Sequence, residues 1–335
     1  MTSVSIKEVA RVAGVSIATI SRYLNDPDVV RPKTRQKVKS AILETGYTPN
    51  TLAQSFRRGK TNIIMVVLQS VGDPFFTNIM QGLQQAAKES GYTVMITEAQ
   101  LDLMRDDELL AMMISKQVDG MILLATTPPF KDDPQHPSTL PVVVGCEAVS
   151  IDQFDFPSVH IDNKAAAEEA TAFLISQGHS KISFMSGSPV SLLTADRETG
   201  YQQALEKAGL PHCENYVVSG DMTIEGARKA TQDLLSLAEP PTAIFCANDE
   251  MALAAISTIK AHGLKVPEDI SVMGFDDNRY AEICDPPLTT IYQPKAEIGR
   301  QSFRTLKALI DGQPDVQKMN VVPHQLVVRQ SVKKH

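Results

Sequence analysis

The chain has 335 residues, of which 43% are hydrophobic, and a formal net charge of −7. This length predicts two or three domains with a sizeable buried core. No apolar run approaches the ~18 residues of a membrane-spanning helix, no signal peptide opens the chain, and the four cysteines form no CxxC pair. We therefore expect a cytoplasmic protein with reduced thiols, and neither a membrane protein nor a disulfide-rich secreted one.

Charge is distributed unevenly along the chain. Residues 1–60 contain 11 Lys and Arg against 4 Asp and Glu, a net charge of +7, whereas residues 61–335 carry −14. A basic segment attracts the phosphates of nucleic acid, and the acidic remainder disfavours nonspecific contact with them. The charge pattern therefore indicates nucleic-acid binding at the N-terminal end.

Residues 6–25 predict two short helices joined by a tight turn. Ser5 and Glu8 have the spacing of a capping box at the start of the first helix. Gly14 suits the left-handed turn that ends this helix, and Ser16 suits the N-cap of the second. These features are typical of a helix-turn-helix DNA-binding domain, in which the second helix enters the major groove.

The outer face of the second helix supplies candidate DNA contacts. Arg22 can bond a guanine edge bidentately, and Ile17 or Ala18 can contact a thymine methyl. Thr19 and Ser21 suit phosphate contacts, which position the helix without reading sequence. A plain helical bundle with a surface arginine is the alternative. The agreement of turn, caps and charge, with a further basic helix predicted over residues 32–45, favours DNA binding.

Residues 50–61 form a linker with an apolar face made by Leu52, Ala53 and Phe56. The segment is too short to be a stable helix in isolation, since helices below ~12–15 residues are marginal in water. DNA can stabilise such a helix when an apolar side chain wedges into the minor groove. A solvated linker without this role is the alternative.

From residue 61 onward, predicted strands and helices alternate. The strands are Ile63–Leu68, Tyr92–Thr97, Gly120–Ala125, Pro141–Gly145, Ile182–Ser186, Ala243–Ala247 and Ile270–Phe275. The helices are Phe75–Ser90, Asp106–Lys116, Asn163–Gln177, Arg197–Ala208, Thr223–Leu237, Glu250–His262 and Ala296–Ile310. This alternation predicts a doubly wound α/β fold. The pattern restarts after Asp162, which indicates two lobes, with ligands bound beyond the carboxyl ends of the strands.

Polar and aromatic residues follow several of these predicted strands. They are Asp73, Phe75, Phe76, Arg197, Asn248, Asp249, Asp276 and Asp277, with Cys146 and Glu147 as further candidates. Carboxylates, an amide and a guanidinium can pair with sugar hydroxyls while a phenyl ring packs on a ring face. Four of them also stand where helices or turns begin, namely Asn248, Asp249, Asp276 and Asp277, so a capping role is equally open for each. For Cys146 and Glu147 a loop role is the alternative. The convergence of the whole set from both lobes favours a ligand site.

Three segments give the chain a family resemblance. Ile6–Asn25, Val266–Asp276 and Asp285–Ile291 resemble the LacI/GalR family of bacterial transcription regulators, and the resemblance extends over essentially the whole chain. It implies an all-α helix-turn-helix head and an α/β periplasmic-binding-protein-like core of two doubly wound parallel-sheet lobes. The implied domains are 1–49 (head), 50–61 (hinge helix), and 62–335 (core, with lobe one about 62–161 and 293–322, and lobe two about 162–292 and 323–335).

The resemblance also implies functional residues. The DNA-binding candidates are Ser16, Ile17, Ala18, Thr19, Ser21, Arg22, Asn25, Leu52, Ala53 and Phe56. Phe56 stands where the family usually inserts leucine into the minor groove. The effector-binding candidates are Phe75, Phe76, Arg197, Asn248 and Asp276, with Asp73, Asp249 and Met222 as weaker ones. The implied partners are double-stranded operator DNA, a second copy of the chain and a small-molecule effector.

The implied function is a ligand-responsive transcriptional repressor. Val159–Asn163, Pro241–Cys246 and Cys284–Pro287 are most similar to nucleoside-responsive members of the family, and a sugar effector is the alternative. A nucleoside- or sugar-processing enzyme with a DNA-binding head is an alternative from another class, but no P-loop, G-x-S-x-G or H-E-x-x-H motif supports it. A regulator that needs a protein partner stays open. We expect no cofactor and no metal.

Overall fold

The structure is a computed structural model that describes residues 4–47, 60–98, 111–124, 140–146, 156–187 and 191–335. The chain divides into two compact units, Met1–Thr61 and Asn62–His335. The first is helical and the second is built from helices and mainly parallel sheets, which confirms the predicted fold class. In the described ranges no helix is long and apolar enough to cross a membrane.

The described residues of the first unit, 4–47 and 60–61, form three helices: α1 (Ile6–Ala13), α2 (Ile17–Asn25) and α3 (Pro32–Thr45). A short 3-10 turn, Pro27–Val29, connects the last two. Apolar residues at helical spacing meet between the helices, because each helix has one apolar stripe to bury. The buried residues are Val9, Ala10, Ala13, Ile20, Val38 and Ala41.

The helix ends confirm two of three predicted caps. Gly14 adopts a left-handed conformation with φ of 63° at the end of α1. The Ser16 hydroxyl accepts a hydrogen bond from the backbone N–H of Thr19 at 3.2 Å. The predicted capping box at Ser5 is wrong, since its side chain makes no cap. The Glu8 carboxylate instead accepts from Arg11, whose Nε lies 3.0 Å away, because a charge pair one turn apart is available on the exposed face.

Parallel strands form two sheets in the second unit. The strands are β1 (Ile63–Leu68), β2 (Thr93–Glu98), β3 (Gly120–Leu124), β4 (Val142–Gly145), β5 (Ser158–His160), β6 (Ile182–Ser186), β7 (Val217–Ser219), β8 (Ala243–Cys246), β9 (Ser271–Met273), β10 (Thr290–Tyr292), β11 (Met319–Val321) and β12 (Gln325–Val327). One sheet has the order β11-β5-β4-β3-β1-β2, the other β7-β6-β8-β9, and β10 pairs with β12 antiparallel. We call the part built on the first sheet lobe one and that on the second lobe two.

Helices cover the sheets. They are α4 (Pro74–Glu89), α5 (Asn163–Ser176), α6 (Leu192–Lys207), α7 (Ile224–Leu235), α8 (Asp249–Ala261) and α9 (Lys295–Ile310). Helix α6 begins five residues before the predicted Arg197, because leucine and alanine in its first turn support helix. Helices α4 and α9 approach closely: a Cβ on Gly299 would lie 2.0 Å from the Ile79 carbonyl oxygen, so only glycine fits there.

The chain passes between the lobes at three described segments. It leaves β5 for α5, leaves β10 for α9, and runs from β11 to β12. Before α9 the chain runs beside the end of β9, where the Asp276 N–H donates to the Ile291 carbonyl at 2.8 Å. Helix α9 then packs against lobe one, where Ser302 lies beside Gly145. These crossings place a cleft between the two lobes.

Candidate functional site

The α2 face opposite the core presents the predicted DNA contacts. Ser16, Ala18 and Arg22 are exposed, and Ile17 is 44% exposed. Ile20 points the other way and is fully buried, which fixes the rotation of α2 in the bundle. The half-buried Thr19 and Ser21 flank this face. Of the other candidates, Leu52, Ala53, Phe56 and the side chain of Asn25 lie outside the described residues.

A solvent-open cavity of about 760 Å³ lies in the cleft between the lobes, and we call it the cleft cavity. Lobe one contributes residues at or after the carboxyl ends of β1, β3 and β4, namely Gln69, Asp73, Phe75, Phe76, Leu124, Gly145 and Cys146. Lobe two contributes residues that follow β6, β7, β8 and β9, with one from the crossing segment: Ser191, Leu193, Arg197, Asp221, Met222, Asn248, Asp276 and Gln293.

Apolar side chains make up one part of the cleft cavity. The rings of Phe75 and Phe76 meet edge to face with centroids 5.2 Å apart. Leu124 and Met222 line the same cavity. Asp73 sets this arrangement, because its carboxylate accepts from the Phe75 N–H at 2.8 Å and so caps α4. The rings therefore stand at the first turn of a helix whose start is fixed.

Asp276 is the best-fixed carboxylate in the cleft cavity. Its Oδ1 accepts from Gln293 Nε2 at 2.7 Å and lies 4.0 Å from an Arg197 nitrogen. Its backbone φ of 108° is rare for a residue with a side chain. Such a conformation costs about 1–3 kcal/mol and persists only where the surroundings hold it. The cost at Asp276 indicates a functional position.

Arg197 is held by several groups at once. Its Nε donates to Asn163 Oδ1 at 3.0 Å, a second nitrogen donates to the Ala247 carbonyl, and the guanidinium stacks over the Phe275 ring at 3.7 Å. The residue is only 4% exposed. Because its rotamer is fixed before any ligand arrives, Arg197 can offer an oriented hydrogen-bond donor without an ordering cost.

The structure corrects the prediction for Asp249. This residue does not line the cleft cavity; its side chain is fully buried, and its two oxygens accept from the Asn278 N–H and the Thr290 hydroxyl, each at 2.6 Å. The preceding Asn248 lines the cavity and also caps α8, accepting from the Met251 N–H at 2.8 Å. Adjacent residues at a helix start point in different directions, and the sequence did not distinguish them.

Several lining residues were not predicted. Gln293 comes from the crossing segment after β10, a strand of three residues that leaves no periodic pattern. Asp221 precedes the predicted Met222, and both have positive φ, of 52° and 56°, in the turn after β7. Their turn composition, Ser-Gly-Asp, was the available signal. Cys146 lines the cavity as anticipated, whereas Glu147 lies outside the described residues.

His160 and Asp162, which flank Ile161, have structural partners. His160 Nδ1 lies 2.7 Å from the Ile161 carbonyl oxygen, and the Asp162 carboxylate caps α5 by accepting from the Ala165 N–H. In the part of the chain that the structure describes, no three or more His, Cys, Asp and Glu side chains are grouped to hold a metal ion.

Burial raises the pKa of the Asp276 carboxyl to about 7, although the charges of Arg197 and Lys295 lower it. The pKa in the folded protein then exceeds the ~3.9 of an unfolded chain. Protonated Asp276 therefore favours folding below ~4, and this stability is lost as pH rises through 7. The quantity to compare is the melting temperature of Asp276→Asn minus that of wild type. We expect this difference to be several degrees larger at pH 8 than at pH 5.5. An unchanged difference between the two pH values would contradict the raised pKa.

Two family descriptions match the chain. The description "bacterial regulatory proteins, lacI family" matches residues 5–50, and "periplasmic binding protein-like domain" matches residues 171–332. The first covers the three helices, and the second covers most of lobe two, helix α9 and the two later crossing segments. The match therefore agrees with the helical head and the two-lobed α/β core seen in the structure.

Three similar proteins cover nearly the whole chain. The HTH-type transcriptional repressor CytR of Escherichia coli K12 is 39% identical over 332 residues, 99% of this chain and 97% of its own. The crystal structure of the Lac repressor dimer bound to operator and the anti-inducer ONPF matches with a TM-score of 0.86 and 27% identity, over 99% and 100% of the two chains. A complex of the transcriptional regulator CelR with cellobiose matches with a TM-score of 0.74 and 32% identity, over 98% and 99%.

Proposed function

This chain belongs to the LacI family of bacterial regulatory proteins, and we propose on that premise that a nucleoside bound in the cleft cavity controls its affinity for operator DNA. It is a DNA-binding transcriptional repressor of the ligand-controlled kind. Its partners are operator DNA, a small-molecule effector and a second copy of the chain, since the similar Lac repressor is a dimer on its operator. It acts in the cytoplasm, where bacterial DNA lies.

The division of the cleft cavity into a polar and an apolar part carries the nucleoside proposal. Asp276, Arg197 and Asn248 offer an acceptor, a donor and an amide to ribose hydroxyls. Phe75 and Phe76 offer ring edges and faces to a flat base. A nucleoside joins these two chemistries in one molecule, and the similarity to CytR supports the same class of regulator.

Control of DNA binding follows from a difference in affinity. A ligand changes an equilibrium between two lobe arrangements only if it binds one arrangement more tightly. A nucleoside that contacts Phe75 in lobe one and Asp276 in lobe two satisfies this condition, because the two contacts form together only in one arrangement. The operator affinity then changes by the coupling free energy between the two sites.

The charge of the cleft cavity predicts that the effector is not phosphorylated. Among the described residues that line it, Asp73, Asp221 and Asp276 carry carboxyl groups and Arg197 carries a guanidinium. Placing a dianionic phosphate among them is unfavourable at short range. We expect cytidine to raise the melting temperature of the protein, and cytidine monophosphate to bind at least ~10-fold more weakly.

The matched variant for this prediction is Asp73→Asn combined with Asp221→Asn. Asparagine preserves the helix cap at position 73, so the loss of negative charge is the main change. The difference in affinity between cytidine and its monophosphate should shrink in this variant. Equal binding of the two compounds to wild type would show that the carboxylates do not select against phosphate.

A sugar effector is the second candidate, and one observation favours it. The similar CelR structure holds cellobiose, and the Asp276, Arg197 and Asn248 set suits sugar hydroxyls as well as ribose. A melting-temperature screen that includes free sugars separates the two. A shift with sugars and none with nucleosides would replace the nucleoside by a sugar and leave the family unchanged.

We also propose that the protein is not an enzyme. Members of the family are transcriptional regulators, and the sequence lacks the catalytic motifs considered above. The test is incubation of the pure protein with cytidine, adenosine and free sugars, followed by chromatography of the products. Turnover of any of these compounds would revive the enzymatic alternative.

A further inference from the structure

A buried lysine stands between the two lobes. Lys295 is the first residue of α9 and is 3% exposed, and among the residues that the structure describes it is the one buried lysine. Lysine is almost never fully buried unless its charge is paired. Its position therefore requires a reason beyond solubility or packing.

The Lys295 ammonium binds the backbone next to the cleft cavity. Its Nζ donates to the carbonyl oxygen of Asp276 and, at 3.0 Å, to that of Asp277. Both residues have positive φ, of 108° and 48°, a conformation that side chains disfavour. Two carbonyls are brought towards one cation, and this contact opposes the cost of the unusual turn.

Lys295 also sits among carboxylates. Burial lowers the pKa of its ammonium, while Asp276, Asp249 and Asp277 raise it. Asp277 is further paired with Arg329 at 2.7 Å, and Asp249 is hydrogen-bonded to Thr290. Arg329 and Arg197 face the carboxylates of this turn, whereas the Lys295 ammonium bonds its two backbone carbonyls.

The two ends of the Lys295 side chain belong to different lobes. Its backbone begins α9, which is anchored in lobe one by the close approach of Gly299 to Ile79. Its ammonium donates hydrogen bonds to the Asp276–Asp277 turn of lobe two. In this turn the Asp276 N–H is bonded to the Ile291 carbonyl. Relative motion of the lobes at this crossing changes the distance between those two ends.

We propose that Lys295 is a positioning residue that couples occupancy of the cleft cavity to the arrangement of the two lobes by holding the Asp276–Asp277 turn. The identity of the effector rests on the proposed function, whereas the link that Lys295 makes between the two lobes rests on its contacts. A ligand that bonds the Asp276 carboxylate displaces a turn whose backbone carbonyls are bonded to Lys295 of α9. The displacement of the turn is thereby transmitted to lobe one.

The first test needs no ligand. Hydrogen exchange of full-length wild type is compared with Lys295→Met, which keeps the length of the side chain and removes its charge and donors. The reporters are peptides covering residues 274–278 and 289–293, whose amides bond across the crossing. We expect exchange there to be about tenfold faster in the variant, with peptides of β1 and β3 unchanged.

Matched variants separate the loss of the Lys295 contacts from a general loss of stability. Lys307→Met changes a lysine on the same helix that pairs with Asp311 near the surface, and it should exchange like wild type. Lys295→Arg retains the charge and should restore most of the protection. If Lys295→Met does not fold, Lys295→Gln, which keeps a donor, replaces it. The proposal is overturned if residues 274–278 exchange at the wild-type rate in the variant without the lysine charge. It is also overturned if exchange in β1 and β3 accelerates as much as exchange at residues 274–278.

The second test measures the coupling. Operator affinity is measured with and without saturating cytidine for wild type, Lys295→Met and Lys307→Met. We expect the ratio of the two affinities to fall at least about fivefold in Lys295→Met and to stay unchanged in Lys307→Met. An unchanged ratio in Lys295→Met would overturn the coupling role. If cytidine has no effect on wild type, the nucleoside assignment fails, and the exchange comparison alone decides for or against Lys295.

Discussion

Asp276→Asn is expected to remove the effector response while the protein stays folded. The carboxylate is fixed by Gln293 and faces Arg197 across 4.0 Å, so it is an oriented acceptor for a ligand hydroxyl. At pH 8, above the pKa of about 7 that burial gives this carboxyl, Asp276 is charged. A hydrogen bond to a charged group contributes about 1.5–3 kcal/mol. We expect nucleoside affinity to fall about 10- to 100-fold, measured by calorimetric titration, and operator binding no longer to respond at ligand concentrations that saturate wild type.

The neighbouring Asp277 provides the matched control. Its carboxylate pairs with Arg329 at 2.7 Å and does not line the cleft cavity. Asp277→Asn removes the same charge from the same turn and should retain nucleoside affinity within about threefold. If Asp276→Asn binds and responds like wild type, Asp276 does not belong to the effector site. If both variants lose the response equally, the turn as a whole is needed and not the one carboxylate.

Arg22→Ala is expected to weaken operator binding and to relax its sequence preference. Arg22 is exposed on the α2 face, with the exposed Ala18 one turn earlier on the same helix. A bidentate contact with guanine contributes about 1–3 kcal/mol of discrimination. Affinity for the best palindrome should therefore fall about 10- to 100-fold, while binding to unrelated DNA changes little. Selection from random DNA with each protein measures both effects.

Arg11→Ala is the control for loss of positive charge. Arg11 is exposed on α1 and pairs with Glu8. A change in general charge weakens binding uniformly across sequences and leaves the preferred site unaltered. The assignment of Arg22 would be refuted by a selected consensus identical to that of wild type at wild-type affinity.

Long apolar elements could be predicted from the sequence and short ones could not. The run Ile63–Leu68 is buried along nearly its whole length, as an interior parallel strand must be. The three-residue strands β5, β7, β10, β11 and β12 were missed, because three residues contain too little pattern to separate a strand from a loop. Their pairing partners, far away in sequence, are what make them strands.

The candidate site was predictable where it follows a strong strand. Asp73, Arg197 and Asp276 stand after β1, β6 and β9, and all three line the cleft cavity. Gln293 and Lys295 were missed because they lie in a crossing segment. There the role of a residue depends on which lobe its spatial neighbours belong to. The separate placements of Asn248 and Asp249 depend on side-chain direction, which strand position does not determine.

The central claim is that a nucleoside controls operator binding. The most direct measurement is a fluorescence-anisotropy titration of the full-length protein against a palindrome selected by the protein itself, with and without saturating cytidine or adenosine. We predict that the nucleoside changes operator affinity by a factor of ~5 to 150, and that cytidine monophosphate and free ribose do not. The central claim is wrong if the protein binds the palindrome tightly and its affinity is the same with cytidine, with adenosine and without either.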